Sequence, residues 1–130
     1  MTLSRLEAGF VSTDRSLVDF LAEVFELDPL EPVDVGFATL FRLQSPGGVL
    51  KVMVPNRPPK PGARAQPFYA LGGLRYLTLY VDDLDGIVER ATTRGGQVVH
   101  GPTDLGPGTR IAVLEDPDGN PFEVVQAPSA

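Results

Sequence analysis

Apolar residues fall into two repeating rhythms along this chain. Residues 5–12, RLEAGFVS, alternate in the manner of a strand, and Asp14 follows as a fitting cap for a helix, because a carboxylate accepts from the free N–H groups of a first turn. Leu17, Phe20, Leu21, Val24 and Phe25 then recur at helical spacing, which predicts an amphipathic helix over 15–27 ended by Asp28-Pro29. Residues 35–44 and 49–54 read as strands around the SPGG turn at 45–48.

The same plan returns in the second half. Residues 74–81, LRYLTLYV, predict a strand; Asp82 or Asp83 caps a helix with Leu84, Ile87, Val88 and Ala91 on one face; Gly95-Gly96 stops it. QVVH reads as a short strand ending at His100, a surface position before Gly101-Pro102. TRIAVLE at 109–115 and PFEVVQ at 121–126 predict a hairpin around DPDGN at 116–120. Asp14 and Asp83 are offset by 69 residues, and SPGGVLKVMV at 45–54 and PDGNPFEVVQ at 117–126 by 72, so a three-residue insertion reconciles the halves. The expectation is an α+β domain over 1–130, made of two tandem βαβββ modules at 3–54 and 74–126 whose curved mixed sheets enclose a pocket. The connector at 55–73 holds five of the 13 prolines and reads as a cover or a linker, with Arg57, Lys60 and Arg64 as its basic residues.

Composition narrows the chemistry. With no cysteine, this chain has no disulfide, thiolate metal site or thiol nucleophile, and with one histidine it has no site built on two imidazoles of its own. Eleven basic and 17 acidic residues give a net charge of −6, which argues against nucleic acid and anionic membrane surfaces as partners. No apolar run approaches the length of a membrane span, and MTLSRLEAGF lacks the apolar core of a signal peptide, so a cytoplasmic protein is expected.

The capping Asp, the Gly-Gly stop and the DPDGNPFEV ending of a βαβββ unit resemble the vicinal oxygen chelate superfamily, which includes glyoxalase I, bleomycin resistance proteins and extradiol dioxygenases. The resemblance is strong over 74–126 and weaker over 5–54. It implies four metal-ligand positions, normally filled by His, Gln and Glu, and here occupied by Glu7, Lys51, Tyr76 and Glu123. Two carboxylates suit a divalent ion, whereas the Lys51 ammonium opposes one and Tyr76 is a rare ligand. The expectation is therefore an ammonium in the place of the metal, paired with Glu7 or Glu123, and no tightly bound cofactor; any divalent ion would rest on Glu7 and Glu123.

Strand parity adds neighbours to those four positions: Arg5, Gly9 and Val11 beside Glu7, Val49 and Met53 beside Lys51, Thr78 and Tyr80 beside Tyr76, and Pro121 and Val125 beside Glu123. The opposite parity is apolar (Leu6, Ala8, Phe10, Leu50, Val52, Leu77, Leu79, Val81, Phe122, Val124) and should lie under the helices. Arg5, Lys51, Met53, Tyr76, Thr78 and Tyr80 are the candidate ligand-binding residues, with Glu7, Tyr76 and Glu123 as candidates for acid–base work. Three functions remain open. One is a small-molecule binding protein without a metal. The second is a metal-dependent lyase, isomerase or dioxygenase of the glyoxalase type using Glu7 and Glu123. The third is a regulatory module with a vestigial pocket. The resemblance further implies a homodimer.

Overall fold

In the computed structural model the residues described are 2–64 and 66–128; position 65 of the connector lies outside them. The chain divides into two compact units, Met1–Pro61 and Gly62–Ala130, with the boundary inside the proline-rich connector. Each is an α+β unit with a curved mixed sheet and one long helix.

Unit one starts with β1 (Glu7–Val11) and α1 (Ser16–Phe25). Asp14 precedes the helix and accepts from the Ser16 N–H at 2.8 Å. Hydrogen bonds from the Ser16 hydroxyl and backbone hold its carboxyl below the usual range. The helix stops earlier than Asp28-Pro29. Glu26 enters the left-handed region at φ 54°, and the N–H groups of Glu26 and Leu27 both donate to the Ala22 carbonyl, closing the end before the proline acts. Asp28–Pro29 instead form the two-residue β2, and Val33–Asp34 form β3; both pair antiparallel with β4 (Ala38–Ser45). A two-residue turn leads to β5 (Gly48–Pro55), which returns antiparallel to β4 and pairs in parallel with β1.

Unit two contains a 3₁₀ turn at Phe68–Ala70, then β6 (Leu77–Tyr80) and α2 (Leu84–Thr93). Asp83 is the cap, its carboxylate accepting from the Gly86 N–H at 3.0 Å. β7 (Gln97–Asp104), β8 (Arg110–Glu115) and β9 (Pro121–Gln126) complete a sheet ordered β6-β9-β8-β7, with β6 and β9 parallel. The strand expected over 74–81 is thus shorter, starting after Tyr76. The strand expected to end at His100 runs four residues farther.

Parity sorts both sheets as expected, with one exception. Leu43, Leu50 and Val52 of unit one, and Leu114, Phe122 and Val124 of unit two, are buried with the apolar helix residues Leu17, Leu21, Val24, Leu84 and Ile87. Leu6 departs from the pattern. It lies one residue before β1 and is 73% exposed, because the strand that would have turned it toward the helix has not begun. Among the described residues no helix is long and apolar enough to cross a membrane.

The DPDGN turn of unit two is held by one buried carboxylate. Asp116 Oδ1 accepts from the backbone N–H groups of Asp118 and Asn120, each at 2.9 Å, and Oδ2 accepts from Asn120 Nδ2 at 2.8 Å. Burial pushes the Asp116 carboxyl above its ordinary value of 3.8, against the opposing pull of these hydrogen bonds. A folded-state pKa raised above the unfolded one means that the native state binds the proton more tightly. This contribution is complete below about pH 3.8 and is lost as pH rises through the folded pKa. Urea unfolding of wild type and Asp116→Asn between about pH 3.5 and 6.5 checks this. Wild type should lose stability relative to the variant as pH rises; a constant difference would contradict it.

Candidate functional site

The sequence candidates fall on both units. In unit one, the start of β1 and the middle of β5 bring together Arg5, Glu7 and Lys51. Glu7 Oε2 lies 2.8 Å from an Arg5 guanidinium nitrogen, and Glu7 Oε1 lies 3.4 Å from Lys51 Nζ. The carboxylate side chain is 19% exposed, Lys51 is 34% and Arg5 is 74%, so the inner ion pair is the more shielded from water. Together with Ser4 these three residues line an open polar depression. Lys51 leans across β1 at its glycine: a side-chain carbon at Gly9 would sit 4.0 Å from Lys51 Cε. Met53 lies two residues farther along β5, opposite Leu40 of β4 and beside Val11 of β1.

In unit two, Thr78 and Glu123 are cross-strand partners on β6 and β9, and the Thr78 hydroxyl donates to Glu123 Oε1 at 3.0 Å. Tyr76 stands just before β6, half exposed, with its ring edge-on to Phe68 at 5.7 Å between centroids. Tyr80 is 75% exposed on the edge strand. Of the predicted residues in this unit, only Glu123 lines its principal cavity.

That cavity has a volume of about 430 Å³ and lies over the open face of β7, β8 and β9. Ile111, Val113, Val99 and Leu105 form apolar walls, and Phe68 and Tyr69 of the connector stack on one another beside it, their centroids 5.4 Å apart. Glu115, Glu123, His100 and Gln66 supply polar groups. One row across the sheet runs Thr78, Glu123, Val113, His100 through successive cross-strand pairs, which places the carboxylate and the imidazole on either side of a valine.

His100 was expected to be a strand-end surface residue. It is exposed as expected but lies within β7, which carries register shifts between Val98 and His100 and between His100 and Thr103. An extra residue in one strand breaks the period of two, so Val99 and His100 both reach the cavity. Gly101 beside it has φ 78°, and a side-chain carbon there would meet the Ile111 carbonyl oxygen at 2.6 Å, so only glycine fits this bend.

The connector takes its place through Arg64. Its Nε donates to the Asp118 carbonyl at 3.1 Å and its terminal nitrogen to Asn120 Oδ1 at 3.3 Å, with the side chain lying over Gly119. A basic residue of the connector read from sequence as a cover or a linker is therefore tied to the DPDGN turn. It stands two positions before Gln66, where the cavity-lining part of the connector begins.

The donor set in unit one does not fit a divalent cation. Both Glu7 oxygens are already paired with cations, one of them the Lys51 ammonium. Among the described residues no group of three or more histidine, aspartate or glutamate side chains is placed to hold a metal. Lys51→Glu would remove the counterion and put a second carboxylate beside Glu7. Its melting temperature should fall by several degrees, and added Mn²⁺ should restore more of it than the same addition gives wild type. An equal or larger gain for wild type would show that Lys51 does not oppose a cation.

Comparison with known proteins gives a consistent picture of the fold. Residues 9–124 match the sequence model of the Glyoxalase/Bleomycin resistance protein/Dioxygenase superfamily. A glyoxalase family protein from Bacillus cereus superposes with a TM-score of 0.83 at 18% identity, covering 99% of this chain and 97% of that one. Glyoxalase I from Zea mays superposes at 0.72 with 21% identity, covering 97% of this chain and 45% of that one. A curated relative, the probable lactoylglutathione lyase of Synechocystis, is 38% identical over 63 residues, which are 47% of this chain and 48% of that protein. The match thus spans about half the length of that relative.

Proposed function

The chain belongs to the Glyoxalase/Bleomycin resistance protein/Dioxygenase superfamily, and on that premise we propose that it binds a small organic molecule in the cavity of unit two without a tightly bound metal. The observation that carries this reading is the lining of the cavity. Apolar and aromatic side chains enclose most of it, a few polar groups converge on it, and its size suits a small ligand. Glu123 is the principal polar anchor, oriented by the Thr78 hydroxyl, and Phe68 and Tyr69 supply the aromatic cover. Glu7 and Lys51 hold one another in unit one in place of a metal and its ligand. A homodimer and a cytoplasmic setting belong to the same reading. Exposed edge strands such as β1 and β6 favour association, and a cysteine-free chain needs no oxidising compartment.

A second reading, a metal-dependent lyase, is favoured by the segment shared with the probable lactoylglutathione lyase. It would draw on Glu7 and Glu123, with Tyr76 as a further acid–base candidate.

One experiment separates the two. The neutral dye N-phenyl-1-naphthylamine should gain fluorescence on binding to EDTA-treated protein, with no change on adding Mn²⁺, Ni²⁺ or Zn²⁺. Phe68→Ala should weaken that binding about fivefold or more, a loss of roughly 1 kcal/mol. Light scattering should give a mass of about two 13.9 kDa chains. Dye binding that needs the metal, or metal-dependent formation of lactoylglutathione from methylglyoxal and glutathione, would move the lyase reading ahead.

A further inference from the structure

The open face of the sheet in unit one carries a guanidinium nitrogen with no acceptor among the described residues. Arg42 on β4 lies directly opposite Lys51 on β5, and the two strands are antiparallel, so both side chains leave the same face. Like charges in that relation repel. Lys51 has a partner in Glu7, toward which it leans across Gly9. Arg42 has none. Its Nε is buried, and among the described residues no group accepts from it. Arg5, the third cation of this region, is spent on the other oxygen of Glu7. Arg5 and Lys51 thus share the carboxylate of Glu7, and Arg42 stands outside that group. A buried guanidinium donor left without an acceptor is unusual in a folded protein, and because this Nε is closed to solvent an acceptor from outside would meet the guanidinium at its terminal nitrogens.

The next row of the same face is apolar, with Leu40 directly opposite Met53. From this arrangement we propose that unit one carries an oxyanion site, formed by Arg42 and Lys51, for a small organic acid whose apolar body lies on Leu40 and Met53. The planar guanidinium offers two parallel donors to a carboxylate or phosphate, and the ammonium adds a third from the neighbouring strand. The site goes beyond the cavity of unit two and stands on unit one alone.

The test uses the full chain labelled at its methionine methyl groups. There are two methionines, Met1 and Met53, so the Met53 signal reports the proposed contact directly. Hexanoate, 1-hexanol and hexylamine share one apolar body and differ in charge. Hexanoate should shift the Met53 methyl signal saturably, binding about fivefold or more tightly than hexanol, and inorganic phosphate should compete with it. Hexylamine should produce no shift. Arg42→Gln should weaken hexanoate binding by about the same factor and leave the weak hexanol shift unchanged, with circular dichroism confirming the fold. The wild-type ligand series decides the matter even if that variant fails to fold. Equal binding of hexanoate and hexanol, no Met53 shift with any ligand, or an unaltered affinity in folded Arg42→Gln would overturn the site. None of these results would touch dye binding in unit two.

Discussion

A sheet that carries one helix has one covered face, and the two-residue period of a strand decides which side chains meet the helix and which are left for chemistry. Both units obey this constraint. Leu50 and Val52 flank Lys51, and Phe122 and Val124 flank Glu123; the apolar members are buried and the charged members stay on the opposite face. The magnitudes show why the register holds. Cross-strand pairs are worth roughly 0.2–1 kcal/mol each, whereas a buried, unpaired ion costs several kcal/mol. Sliding β5 or β9 by one residue would bring Lys51 or Glu123 against the helix and would outweigh every cross-strand gain in that strand.

The two open faces differ in charge. Unit one sets Arg5 and Lys51 on the carboxylate of Glu7 and places Arg42 opposite Lys51 on the next strand. The cavity of unit two is lined by Glu115 and Glu123 with one imidazole, and neither lysine nor arginine is among its lining residues. The Arg5–Glu7 contact adds little to stability because the guanidinium is largely in water. Its effect is on orientation: with Arg5 on one oxygen and Lys51 on the other, Glu7 is fixed, and Arg42 Nε is left without an acceptor among the described residues.

The parts of this arrangement that were legible in the sequence are those that follow a period. Helical spacing gave α1 and α2, alternation gave the strands and their faces, and the repeated offset gave two units of similar plan. The resemblance led to the expectation that Lys51 pairs with Glu7 or Glu123, and the structure places it beside Glu7. What escaped was aperiodic. The bulged β7 turns Val99 and His100 toward the cavity, which no alternation rule predicts. Phe68 and Tyr69 sit in a connector whose prolines gave no strand or helix to place them on. The end of α1 was set by Glu26 in a left-handed conformation, ahead of the Asp28-Pro29 signal. Arg42 was passed over because it belongs to a strand without a family ligand position; its signal was the cross-strand register with Lys51, which requires β4 and β5 to be paired correctly first.

Membership of a superfamily establishes the fold and leaves the chemistry to individual positions. At the position of Lys51 the difference is specific. A divalent ion and an ammonium both answer the negative charge of a neighbouring carboxylate, and either can hold a strand pair in register. The metal, however, keeps coordination positions open and can polarise a substrate oxygen. An ammonium offers three hydrogen-bond donors, carries one charge instead of two, and is tethered by its own side chain. Glu7, with an arginine on one oxygen and a lysine on the other, has both oxygens engaged by cations. What Lys51 can give a bound molecule is a fixed positive charge and directed hydrogen bonds. Those properties select and orient an anion, and they ask nothing of it chemically.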